Sequence, residues 1–164
     1  MFKKLIFVSC GLAAAIAGFY LSLSLKSDFT TVEGQSYQWQ DFKGQYLVVN
    51  YFAEWCAPCL KELPELNQFE SFAKEQPDVS LLAVNFDNLG DPELQELKQK
   101  YQIDFRVISG LPENAVFHKP NSLPTTFIIG PDGALIKQLQ GEQNNASLQN
   151  IITQLRQRHS LASS

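Results

Sequence analysis

A mixed α/β domain, with a central sheet flanked by helices on both faces, is what this 164-residue chain predicts. Three observations carry that expectation. YLVVNYFA (46–53) and VSLLAVNFD (79–87) are β-prone and apolar on both faces, as buried central strands are. Between them Leu60, Leu63, Leu66, Phe69 and Phe72 or Ala73 recur at spacings of three and four, the period of a helix over 57–74. Strand, helix and strand in that order imply a right-handed parallel crossover. Near the C-terminus, TTFIIG, a Pro-Asp-Gly turn and ALIKQLQ read as a hairpin, which adds antiparallel strands and makes the sheet mixed.

The remaining elements follow in chain order. TTVEGQSYQW has a Glu-Gly turn signal between two runs bearing Val, Tyr and Trp, and reads as a small N-terminal β-hairpin. Pro64 falls inside the first helix and is expected to kink it, since it has no N–H to donate. DPELQELKQKYQI starts with Asp91 as a cap and Pro92 at the first helical position. FRVIS (105–109) is a short extended piece, and LPENAVFHKPNS holds one helical turn within a loop. A last helix over about 145–159 gathers Leu148, Ile151, Ile152 and Leu155 on one side.

The first 25 residues stand apart. Residues 5–25, LIFVSCGLAAAIAGFYLSLSL, carry no charge, and that length of helix spans roughly the 30 Å of a bilayer core. Lys3 and Lys4 precede the run and favour a cytoplasmic N-terminus, which puts the following domain outside the cytoplasm. Residues 1–25 are therefore expected to be a signal anchor, and 26–164 a single exported domain. Ala15-Ile16-Ala17 also resembles a signal-peptidase site. The apolar run continues past it through Leu25, which favours an uncut anchor. Cys10 lies close behind the lysines for a lipidation site, and in the anchor it is a small membrane-buried residue.

Composition narrows the function. Apolar residues make up 45% and charged residues 18%, enough for a proper core without cross-links. The net charge is −4, and the remainder is more acidic once the two anchor lysines are set aside. A nucleic-acid surface needs a basic stripe, so nucleic acid is excluded as a partner.

Two of the three cysteines sit in YFAEWCAPCLKELPEL, where a strand gives way to a helix. Free N–H groups and the helix dipole stabilise an anion there, which lowers the pKa of a Cys56 thiol. Cys59 lies one turn further on, within reach of Cys56, and Pro58 helps to fix the first turn. The pair can attack a disulfide through Cys56 and release the product through Cys59. A static clasp is disfavoured, because so short a loop gains little from closure. A structural zinc site needs four ligands, and His118 and His159 lack ligand spacing to the pair, so no resident metal is expected. Soft-metal carriage by two thiolates stays open. Trp55 is expected to shield the sulfur with its ring.

The pieces VNYFAEWCAPCLKELPEL, LAVNFD and LPTTFIIGPDG, with Gly141 ahead of the last helix, resemble the thioredoxin superfamily, and within it the membrane-anchored TlpA/ResA-type proteins. The likeness covers about residues 29–157. It implies a thioredoxin fold, a cis Leu123–Pro124 bond packed against the cysteines, and disulfide reduction outside the cytoplasm. It also implies that the edge at Leu123 pairs with an extended substrate segment. Ordinary thioredoxins carry a buried Asp six residues before the first cysteine, where this chain has Asn50. Glu62, three residues after Cys59, matches the glutamate of the TlpA/ResA pattern. Partly buried, it would have a raised pKa and take the proton from Cys59. Glu54 and Glu65 read as surface charges.

The site expected is thus Cys56, Cys59 and Glu62 for chemistry, and Trp55, Leu123 and Pro124 for substrate. No cofactor is expected beyond the Cys56–Cys59 redox pair. The expected partners are a disulfide-bearing protein substrate, such as apocytochrome c or a copper-site protein, a membrane thiol protein as electron donor, and the membrane itself. The expected location is the bacterial inner membrane, single-pass, with the domain on the periplasmic side. A copper or haem chaperone using the same thiols is the rival reading. A peroxiredoxin-type peroxidase is disfavoured, since its lone peroxidatic cysteine does not sit in W-C-x-P-C.

Overall fold

The computed structural model describes residues 27–162, and the expected anchor, with Cys10, lies outside them. Strands β1 (Phe29–Thr30) and β2 (Ser36–Tyr37) form the predicted hairpin, followed by a 3-10 turn at Trp39–Phe42. Then come β3 (Tyr46–Phe52), α1 (Ala57–Lys74), β4 (Val79–Asn85), α2 (Asp91–Tyr101) and β5 (Arg106–Ile108). The chain ends with β6 (Thr125–Ile129), β7 (Leu135–Gln140) and α3 (Asn145–Ala162). The sheet order is β5-β4-β3-β6-β7. The pairs β3–β4 and β4–β5 are parallel, and β3–β6 and β6–β7 antiparallel.

Among the described residues the α-helices flank the sheet on one face, not two. Buried side chains of α1 (Leu63, Leu66, Phe69), α2 (Leu94, Leu97) and α3 (Leu148, Ile152) all join Val48, Leu81 and Ile128 in one cluster. The parallel strands step in one direction from β3 to β4 to β5. Right-handed crossovers then put α1 and α2 on the same side. The other face presents Leu47, Val49, Tyr51, Val84 and Phe127 to Phe29, Phe42 and Phe117, which come from the hairpin, the 3-10 turn and the loop after β5. β3 and β4 are buried along their whole length, as predicted.

Three local expectations are corrected. The cap of α2 is Gly90, not Asp91, because Glu93 reaches back and accepts the Gly90 N–H at 3.1 Å, which closes that end one residue earlier. Residues 111–122 form turns without a helical segment, one closed by the Ala115 N–H on the Pro112 carbonyl at 3.1 Å. The last helix continues beyond His159 to Ala162. Helix α1 runs through Pro64 without ending.

Leu66 has no exposed surface and packs between α1 and the sheet. Leu66→Ala is expected to cost about 2–5 kcal/mol, read as a lower urea midpoint with an unchanged slope.

Candidate active site

The end of β3 delivers the chain to Cys56, which caps α1 at its N-terminus, with Pro58 in the first turn. Cys56 and Cys59 are joined by a disulfide, and both are buried. The Cys59 N–H points at Cys56 Sγ from 3.3 Å. That N–H belongs to the unpaired first turn of the helix, so it is in place to stabilise negative charge on Cys56 when the disulfide opens.

The Leu123–Pro124 bond is cis. The register Tyr51↔Thr125 places Pro124 at the end of β3 from which the chain runs on to Cys56. Leu123 is half-buried against the core cluster that contains both cysteines. The Pro124 carbonyl accepts the Gly141 N–H at 2.9 Å. Trp55 is 65% exposed. Its indole N–H donates to Asp87 Oδ2 at 2.9 Å, and its ring meets Phe86 edge-on at 5.9 Å. Lys119 sits over the Phe86 ring at 3.8 Å and donates to the Phe86 carbonyl. Trp55 is therefore an exposed aromatic side chain whose indole is held by a carboxylate.

Glu62 lies one turn after Cys59 and is only 1% exposed. It faces the sheet, where Asn50 of β3 donates through Nδ2 to its Oε1. Its Oε2 accepts the backbone N–H of Gln143 at 2.9 Å. Burial pushes the carboxyl up to about 7, against the two hydrogen bonds that favour the charged form, and nearby Glu142 adds to the rise. Asn50 also donates to Thr126 Oγ1 at 3.1 Å, across the β3–β6 pair.

The structure thus brings Cys56, Cys59, Glu62, Leu123 and Pro124 to one end of the sheet. Sequence reading missed the partners: Gln143 behind Glu62, Asp87 behind Trp55, and Thr126 beside Asn50. A lone Asn in an otherwise apolar strand was the available signal for the last of these. Glu54 is a surface charge paired with Lys100 at 2.7 Å. Glu65 is half-buried instead, and accepts the Asn145 N–H at 3.1 Å at the start of α3. Among the described residues no cluster of three or more His, Cys, Asp or Glu is placed to hold a metal.

A disulfide at a helix N-terminus, next to a cis-proline strand start in a sheet of this order, places the molecule among the thiol–disulfide oxidoreductases of the thioredoxin superfamily. Comparison with known proteins agrees. The model of the AhpC/TSA family matches residues 21–138, and the chain belongs to that family. Thiol-disulfide oxidoreductase ResA of Bacillus thuringiensis subsp. konkukian (strain 97-27) is 31% identical over 127 residues, 77% of this chain and 72% of that protein. Among solved structures, a thiol:disulfide interchange protein from Chlorobium tepidum TLS superposes with a TM-score of 0.65 at 24% identity, over 76% of this chain and 89% of that one. StoA from Bacillus subtilis gives 0.61 at 24% identity, over 74% and 92%. These two share the thioredoxin-like fold.

A buried acid with a raised pKa weakens the fold once it ionises. In the unfolded chain Glu62 titrates near 4.5, and in the folded protein near 7. Its neutral form thus favours the fold fully below about pH 4.5, and that advantage is lost as pH rises through 7. The full difference is about 3 kcal/mol. In the disulfide form, Glu62→Gln is expected to gain stability over the wild type between pH 5 and pH 8, approaching that figure. Urea unfolding at both pH values checks it.

Proposed function

We propose that this oxidoreductase is a membrane-anchored protein disulfide reductase working outside the cytoplasm, on the periplasmic side of the bacterial inner membrane. Cys56 is the nucleophile, Cys59 the resolving thiol and Glu62 the proton acceptor. Trp55, Leu123 and Pro124 hold the substrate segment. The observation that carries this reading is the Cys56–Cys59 disulfide at the N-terminus of α1, with the buried Glu62 carboxyl one helical turn after Cys59.

Reduced Cys56 attacks one sulfur of a substrate disulfide, and the other substrate sulfur leaves as a thiolate and takes a proton from solvent. The Cys59 S–H bond then breaks and its proton passes to Glu62. The electron pair left on Cys59 attacks Cys56 Sγ, and the bond from Cys56 to the substrate breaks. The second substrate sulfur leaves as a thiolate and is protonated. Two electrons have moved from the cysteine pair to the substrate, leaving the Cys56–Cys59 disulfide. A membrane thiol protein is the donor that reduces it again, and no cofactor beyond the pair takes part.

The client expected is a protein whose cysteines must be free for cofactor attachment. Apocytochrome c and copper-site proteins are the candidates. A copper or haem chaperone would use the same two thiols. Cu(I) titration against a chelator separates the two, since a chaperone holds the ion tightly and reduces disulfides negligibly.

Cys59→Ser is expected to accumulate the mixed disulfide on Cys56. With a model disulfide substrate, wild-type resolution should quicken as pH rises through about 7, where Glu62 ionises. Glu62→Gln should slow it roughly 10²-fold at pH 7 and flatten that rise. Stopped-flow kinetics between pH 5 and 9 read both, and a wild-type rate throughout removes Glu62 from the role. The equilibrium potential of the pair tests direction: about −270 mV or lower fits a reductant, and about −120 mV an oxidant.

A further inference from the structure

Asn50 lies in the middle of β3 with no exposed surface. One end of its amide, Nδ2, donates to Glu62 Oε1 and Thr126 Oγ1. The other end, Oδ1, has no partner among the described residues. A half-turn of an amide exchanges donor and acceptor at almost unchanged shape. No partner at the far end would resist that turn, so the group facing the near end decides the orientation.

That group is Glu62, and its two oxygens are not equivalent. Oε2 takes a backbone N–H from Gln143, which can only donate. Oε1 faces the one neighbour that can change sides. We propose that Asn50 is a positioning residue: the proton taken from Cys59 rests on Glu62 Oε1, and the Asn50 amide turns over with it. Toward the carboxylate Asn50 donates through Nδ2. Toward the carboxylic acid it accepts through Oδ1. Thr126 permits the turn, because its hydroxyl accepts in the first state and donates to Oδ1 in the second. This rests on Glu62 as the proton acceptor.

The charged surroundings are few. Glu142, in the turn before α3, opposes ionisation of Glu62, and Lys61 pairs with Glu142 at 2.7 Å. Glu65 on α1 is occupied by the Asn145 N–H. The facing groups on β3 and β6, Asn50 and Thr126, are neutral. Disulfide-bonded Cys56 and Cys59 do not titrate. In the disulfide form the Glu62 proton can therefore be followed alone.

The experiment is NMR of the disulfide form between pH 5 and 9, following the Glu62 carboxyl carbon and the Asn50 side-chain amide protons. Contacts from those protons to the Glu62 and Thr126 side chains should be present at pH 9 and lost at pH 5, with the Glu62 midpoint. Unchanged contacts at both ends overturn the inference, whatever any variant does. Asn50→Leu removes a charge-assisted donor, and should raise the Glu62 midpoint by about one pH unit, a tenfold gain in proton affinity. Asn50→Asp should make the pair titrate in two steps. A folded Asn50→Leu with an unmoved midpoint also overturns the inference, while leaving Glu62 as the acceptor in the kinetics. A Glu62→Gln enzyme resolving at the wild-type rate would instead remove the acceptor role on which the inference depends.

Discussion

A carboxyl group with 1% of its surface exposed must be neutral or fully partnered, because an unpaired charge in such a place is too costly to hold. Glu62 sits between those two conditions. Two hydrogen bonds support its charged form, and burial opposes it, so that neither protonation state dominates near neutrality. The remaining features of the site serve that balance. The sheet supplies Asn50 and Thr126, the turn before α3 supplies Gln143, and α1 sets the acid one turn after a cysteine. In the proposed reaction this arrangement takes up a proton beside the redox pair, inside the core.

The two faces of the sheet divide the work. The helical face buries the cysteines and the acid together with Leu63 and Leu66, in surroundings where a charge interaction is strong. The other face packs Phe117 of the loop that leads to Leu123 and Pro124, a loop without regular structure, and Leu123 itself touches the clusters of both faces. Phe117 of that loop stacks on Phe127 of β6 at 4.8 Å and meets Trp39 edge-on. Asn114 accepts from the Trp39 indole and donates to Asp28 at 2.6 Å. The N-terminal hairpin and 3-10 turn thus act as a splint for the loop that ends at the cis-proline. Their contribution to the site lies in packing, since none of their side chains is among those proposed for the chemistry.

Much of this was legible in the sequence, for identifiable reasons. β3, α1 and β4 announce themselves because a fully buried strand and a helix packed along one side leave strong periodic patterns, and W-C-x-P-C marks the junction between them. Glu62 was legible through its spacing from Cys59 and through family likeness. What the sequence hid depended on chain segments far apart. The Gln143 N–H on Glu62 spans 81 residues and uses a backbone group, so no side-chain pattern records it. The single-sided helix layer followed from the direction in which the strands step, which the order of elements leaves open. The α2 cap was missed because Asp91 and Glu93 both suit that end, and only geometry shows which one reaches back.

Asn50 shows why a local rule can fail at a functional position. In an apolar strand it was legible as an interruption, and as the absence of an acid that ordinary thioredoxins place there. Judged as a core residue it is a poor choice, since its Oδ1 is buried with no partner among the described residues. Judged as the neighbour of a titrating acid it is a good one. A second carboxylate would repel the first, and an apolar side chain would leave Glu62 Oε1 unpaired. An amide keeps a hydrogen bond to the acid in both protonation states and adds no charge. The strand gives up some core stability at that position, and in return the acid beside the redox pair can change its proton without losing its partner.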